Sequence, residues 1–107
     1  MNVEIVISQY LKEQGISPKT QGYSILEDAI YRSFQYPNET AKEIFEYLAI
    51  KNNKKSWRSV YRLASYSLNK AYSASLLEGG TTLHTFIKMA VVSVKLRMNG
   101  IDSSETV

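Results

Sequence analysis

Hydrophobic residues recur every three or four positions in five segments of this chain, which predicts five amphipathic helices. The stripes of the first two segments consist of Val3, Ile7, Tyr10 and Leu11, and of Tyr23, Leu26, Ile30 and Phe34. The other three stripes consist of Ala41, Ile44, Phe45 and Leu48, of Val60, Leu63, Ala64, Ser67, Leu68 and Ala71, and of Leu83, Phe86, Ile87, Ala90, Val91, Val94 and Met98. Val91, Val92 and Val94 also favour an edge strand locally, but the period from 83 to 98 favours a helix. We therefore predict an all-α fold of five to six helices.

Capping residues indicate where these helices begin and end. Gly15 follows the first segment, as a C′ glycine does. Ser24–Glu27 and Thr40–Glu43 have capping-box spacing, so we predict that the second and third helices begin there. Ser56 is a good N-cap for the fourth helix. We predict one domain over residues 1–101 and a flexible C-terminal tail over 102–107.

The composition excludes several classes of protein. A chain of 107 residues fits one domain, and a hydrophobic content of 44% is too high for a disordered one. The absence of cysteine excludes disulfide scaffolds, thiolate zinc sites, iron–sulfur clusters and cysteine nucleophiles. No apolar stretch approaches the roughly 20 residues of a membrane span, and Met1–Glu4 lacks the basic start of a signal peptide. We expect a soluble cytoplasmic protein that does not bind a membrane.

The charges are unevenly distributed along the chain. Residues 1–50 carry four basic and seven acidic side chains, whereas residues 51–107 carry nine basic and three acidic ones. No acid occurs between Glu46 and Glu78, and six lysines and arginines fall in that interval. Such a basic block is typical of a protein that binds a phosphate backbone, although a solvated basic surface gives the same pattern.

The third and fourth helices have the pattern of a helix-turn-helix. The third ends near Ile50, a polar turn covers 51–55, and we predict a recognition helix over about 56–75. The face opposite its apolar stripe carries no acid. From this face we predict that the DNA bases are contacted by Arg58, Tyr61, Arg62 and Ser65. We predict that the phosphates are contacted by Lys51, Lys54, Lys55, Ser56, Tyr66 and Asn69.

No group of residues predicts catalysis, a metal or a cofactor. His84 is the sole histidine, and Gly79–Gly80 lacks the continuation of a phosphate-binding loop. The carboxylates at positions 39, 43 and 46 fall on one solvated helix face, where we expect Glu39 or Glu46 to pair with Lys42. Trp57 either stacks on a nucleic acid or packs in the turn between the two helices. We expect that the protein is not an enzyme.

The chain resembles the C-terminal DNA-binding effector domain of the master response regulator of sporulation in endospore-forming bacteria. The most specific match is Glu13–Gly15 followed, after six residues, by Gly22–Ile30, which has the family's G-Y-x-x-L-x-x-A-I pattern. Further matches are Ile44, Phe45, Leu48 and Ala49, then Val60, Arg62, Leu68, Ala71 and Tyr72, and last 86–89 and 95–97. The family's phosphorylated receiver domain has no counterpart in these residues.

The resemblance implies an effector fold whose helix-turn-helix reads the major groove, with molecules paired on adjacent sites. Arg62 matches an arginine that reads DNA in the family. Tyr61 replaces a glutamate, Ser65 a second arginine and Tyr66 a histidine, so a different target sequence or weaker binding is implied.

The combined prediction is a sequence-specific transcription regulator that binds double-stranded DNA. The alternative is a stand-alone protein-interaction module or antagonist, derived from an effector domain, that pairs with a full-length related regulator. A DNA-binding protein of low specificity is a third possibility.

Overall fold

The computed structural model describes residues 2–75 and 82–105, which form five α-helices. They are α1 (Val3–Glu13), α2 (Gln21–Gln35), α3 (Ala41–Lys51), α4 (Trp57–Ser75) and α5 (Leu83–Glu105). These ranges contain no strand, so the all-α prediction is confirmed and the strand alternative at Val91–Val94 is wrong. α5 includes residues 102–105 of the predicted tail, whereas 106–107 and Gly79–Gly80 lie outside the described residues. No helix in the described part of the chain is both long and apolar enough to span a bilayer.

The helices begin and end mostly where the capping residues predict. Gly15 has φ +82°, the left-handed conformation of a residue that stops a helix. At α3 the capping box is complete, because the Glu43 N–H donates to Thr40 Oγ1 at 3.2 Å and the Thr40 N–H donates to Glu43 Oε1 at 3.0 Å. The Arg58 N–H donates to Ser56 Oγ at 3.2 Å at the start of α4. The predicted caps at Thr40 and Ser56 are therefore confirmed.

The predicted start of α2 at Ser24 is wrong. The helix begins at Gln21, with Thr20 as its N-cap, and Ser24 lies exposed within it. A hydrogen bond of 3.2 Å from the Thr20 N–H to the Ser17 carbonyl closes the preceding turn, and the helix begins at the next residue. The earlier start makes Gly22 part of α2, where it meets α4.

α2 lies at the centre of the fold and contacts all four other helices. On one side of it α1 packs against α5, and on the other α3 packs against α4, whereas α4 and α5 touch only slightly. The predicted stripes form most of the core, in which the largest fully buried side chains include Leu11, Leu26, Phe45, Leu68 and Phe86. Of the predicted stripe residues, Ala41 lies outside the core, and Val3, Phe34, Leu63 and Met98 are only partly buried. α2 therefore joins two helix pairs into one core.

Contacts between helix ends and neighbouring helices fix this arrangement. The Arg97 guanidinium of α5 donates to both carboxylate oxygens of Glu13, at 2.5 and 3.1 Å, at the end of α1. A Cβ built on Gly22 would lie 2.7 Å from the carbonyl carbon of Leu63 and closer still to its oxygen. Only glycine therefore allows α2 and α4 to approach this closely. Beside it, the Ser67 hydroxyl donates to Thr20 Oγ1 at 2.8 Å.

The corner between α2 and α3 is built around Arg32. Its guanidinium donates to both oxygens of Glu39, at 2.7 and 2.8 Å, and lies 4.0 and 4.1 Å from the ring centroids of Tyr36 and Tyr47. These hydrogen bonds lower the pKa of Glu39 and raise the pKa of Arg32. The corner thus links the end of α2 to α3, whereas α4 packs directly on α2.

Candidate nucleic-acid interface

A tight polar turn joins α3 to α4. α3 ends at Lys51, one residue later than predicted, and residues 52–56 connect it to α4. Asn53 has φ +56°, a left-handed conformation that asparagine tolerates better than most residues. The Lys54 N–H donates to the Ala49 carbonyl at 2.8 Å, and Asn52 Nδ2 donates to the Leu48 carbonyl at 2.7 Å. The turn thus satisfies carbonyls at the end of α3, and the side chains of Asn53, Lys54 and Lys55 are exposed.

Aromatic side chains pack α3 against the first turns of α4. Tyr61 lies edge-on to Phe45, with 5.3 Å between ring centroids, and edge-on to Trp57, with 6.0 Å. Trp57 is half-buried against the core, so its packing role is observed, whereas stacking on a nucleic acid stays a prediction. Tyr61 is also half-buried, so it lies at the border of the predicted reading face rather than on its exposed surface.

The outer face of α4 presents its two arginines to solvent. Arg58 and Arg62 are exposed, and the Arg58 guanidinium lies 5.4 Å from the centroid of the Trp57 ring. Neither arginine forms an ion pair with a carboxylate among the side chains of residues 2–71 and 82–99. Tyr66 and Asn69 are exposed on the following turns, and Ser65 is half-exposed. The cations predicted to contact bases therefore have no acidic partner on the surface that the structure describes.

The cations predicted to contact phosphates differ in their surroundings. Lys54 and Lys55 are exposed in the turn. Lys51 is the last residue of α3, and its Nζ lies 3.2 Å from the carboxylate of Asp28 on α2. Ser56 is half-buried and its hydroxyl caps α4. A phosphate contact by Lys51 would thus compete with Asp28, whereas no carboxylate among the described side chains pairs with Lys54 or Lys55.

An open groove of about 540 Å³ lies where α3 and α4 begin. Its lining consists of Ala41, Lys42, Trp57, Arg58, Tyr61 and Arg62. Three of these side chains are cationic, two are aromatic and none is acidic. An anion carried on an apolar body is the ligand that such a lining favours.

Lys42 is the residue of this groove that sequence reasoning missed. The sequence predicts a pair between Lys42 and Glu39 or Glu46, but Glu39 binds Arg32 instead. Lys42 remains exposed beside the arginines of α4. The signal in the sequence was its position three residues before Phe45, whose ring contacts Tyr61 of α4.

Acidic side chains gather at a different place, between α1 and α2. Glu4, Glu27 and Asp28 line a smaller cavity of about 210 Å³ together with Tyr31 and Lys51. Burial raises the pKa of Glu27, and a hydrogen bond with Ser8 partly offsets this effect. Three of the acidic side chains of the first half of the chain thus lie together in this cavity, where they meet Lys51 of the basic block.

The comparisons with known proteins place this chain in no group. No protein-family model, curated protein or solved structure matches it.

Proposed function

We propose that this protein is a transcription regulator that binds specific sequences of double-stranded DNA through α3 and α4. The observation that carries the proposal is the outer face of α4, where Arg58 and Arg62 are exposed and have no carboxylate partner among the side chains of residues 2–71 and 82–99. A duplex supplies the anionic partner that this face lacks.

The roles of the residues follow from their positions. Arg58 and Arg62 lie one turn apart near the start of α4, the end of a recognition helix that enters the major groove. Each guanidinium can donate two hydrogen bonds to O6 and N7 of a guanine. Lys54 and Lys55 precede the helix and reach the sugar–phosphate backbone, which sets affinity rather than sequence preference. Tyr66 and Asn69, two turns further along, can donate to phosphate oxygens.

The resemblance to the sporulation effector domain supports the same function. It covers most of the chain and matches Arg62 to an arginine that reads DNA in that family. The differences at Tyr61, Ser65 and Tyr66 fall on the same face, so the target sequence of this protein would differ from the family's.

A protein-interaction module is the second candidate. Tyr66 exposes 63% of its surface, and α5 exposes Met89, Val92 and Leu96 in one stripe. Aromatic and apolar side chains of this kind are enriched in protein interfaces. This alternative requires no affinity for DNA.

Binding of fluorescent duplexes, followed by anisotropy at several salt concentrations, tests the proposal. We expect selection from a random duplex pool to recover a preferred sequence, which the protein binds more tightly than random duplex. Arg62→Ala should cost about 1–3 kcal/mol at one base pair of that sequence and relax the preference there. Lys55→Ala should weaken binding to every duplex and reduce the slope of log K against log salt by about 1.

The control is Lys88→Ala, which removes an exposed positive charge from α5. It should change neither the sequence preference nor the salt slope. No binding to any duplex at low salt would refute the proposal and favour the interaction module. Equal binding to all duplexes would refute sequence specificity.

A further inference from the structure

The groove between the starts of α3 and α4 has an apolar lining that neither base reading by Arg58 and Arg62 nor contact with DNA phosphates requires. Ala41, Trp57 and Tyr61 contribute apolar surface to it, and Lys42, Arg58 and Arg62 contribute positive charge. A phosphate-contacting surface needs only the cations. Its volume of about 540 Å³ falls within the range of roughly 300–1,000 Å³ typical of small-molecule sites.

We propose that this groove binds a small phosphorylated ligand with a planar ring, of the chemical class of a nucleoside monophosphate. The ring covers the apolar surface of Trp57 and Tyr61, and the phosphate lies among the three cations. Neither the ring nor the phosphate alone would contact the whole lining. Adenosine leaves the cations unpaired, and inorganic phosphate leaves the aromatic surface in water.

The cations are available for this ligand. Lys42 comes from α3 and the two arginines from α4, so the phosphate would be held between two helices. None of the three forms an ion pair with the described side chains, which are those of residues 2–71 and 82–99. At the α2–α3 corner, Arg32 pairs with Glu39 and contacts the rings of Tyr36 and Tyr47. These contacts hold the start of α3 in place without using Lys42.

Because the groove includes Arg58 and Arg62, the ligand would occupy the same side chains as a duplex. Binding of the ligand and of DNA would then be mutually exclusive. This competition rests on the proposed function, whereas binding of the ligand rests on the groove alone.

The single tryptophan of the chain lies in the groove and reports on its occupancy. The experiment titrates the native protein with adenosine 5′-monophosphate, adenosine and inorganic phosphate at constant ionic strength, with fluorescence excited selectively at Trp57. We expect a saturable change with the nucleotide below about 1 mM and at least roughly tenfold weaker binding of adenosine and of phosphate. Lys42→Gln should weaken nucleotide binding about fivefold, and Lys88→Gln, the same change on α5, should leave it unaltered.

A second titration adds the nucleotide to the complex of the protein with a labelled duplex. The control adds inorganic phosphate at the same ionic strength. If the nucleotide displaces the duplex and inorganic phosphate does not, both the ligand site and the competition are supported. Saturable nucleotide binding by a protein that binds no duplex upholds the ligand site and refutes the proposed function. A protein that shows no saturable response to the nucleotide, or an equal response to phosphate, overturns the inference whether or not it binds DNA.

Discussion

Replacing Gly22 with alanine tests the close approach of α2 to α4. The new Cβ would overlap the Leu63 carbonyl and the Ser67 hydroxyl, so α2 and α4 would have to move apart. Overpacking of this kind costs about 1–3 kcal/mol, and the better helix propensity of alanine offsets up to about 1 kcal/mol of it. We expect Gly22→Ala to lower the free energy of unfolding by about 1–2 kcal/mol and the Tm by about 5–10 °C.

The assay is urea and thermal unfolding followed by circular dichroism, with exposed Ser24→Ala in the same helix as the control. The control should stay within about 0.5 kcal/mol of the native protein. Ser67→Ala in the Gly22→Ala background should restore only part of the loss, because the Leu63 carbonyl belongs to the backbone and remains in place. A Gly22→Ala protein more stable than the native one would show that propensity dominates and that the two helices are not in close contact.

Three further predictions concern stability. Thr40→Ala removes the capping box with Glu43 and should lower the free energy of unfolding by about 1 kcal/mol in urea, whereas an unchanged midpoint would show that the box is not formed. Phe45→Ala should lower it by about 3–5 kcal/mol, because the ring is fully buried; a loss below about 1 kcal/mol would contradict that burial. Because Arg32 lowers the pKa of folded Glu39, their pair stabilises the protein above the carboxyl's ordinary pKa, and this contribution is lost as the pH falls through the lowered value. Unfolding midpoints of the native protein and Glu39→Gln should therefore converge in acid, and a constant difference between them would refute this assignment.

The helices and most of their ends could be predicted because they depend on local signals. A period of 3.6 residues identifies the buried face of each helix whatever its neighbours are, and the cap at Thr40 involves only residues three apart. The start of α2 could not be predicted in this way, since Ser24–Glu27 has the same spacing as a true capping box. Its position depends on the Ser17–Thr20 turn and on the approach of Gly22 to α4.

The candidate site was predictable only in part, for the same reason. The acid-free stretch and the helical period correctly indicated that Arg58 and Arg62 are exposed. The half-burial of Tyr61 depends on Phe45 of another helix, and the pairing of Lys51 depends on Asp28 of α2. Helical spacing predicts pairs only within one helix, so it could not show these contacts between helices.

The contact between α1 and α5 has a consequence for synthesis of the chain on the ribosome. α1 can dock on α2 as soon as both have emerged, but its other partner is the last helix, where Phe86 packs on Tyr10 and Arg97 binds Glu13. Until α5 emerges, the part of α1 that it covers stays in water. The nascent domain therefore remains incompletely folded, and exposed to chaperones and proteases, until α5 has emerged.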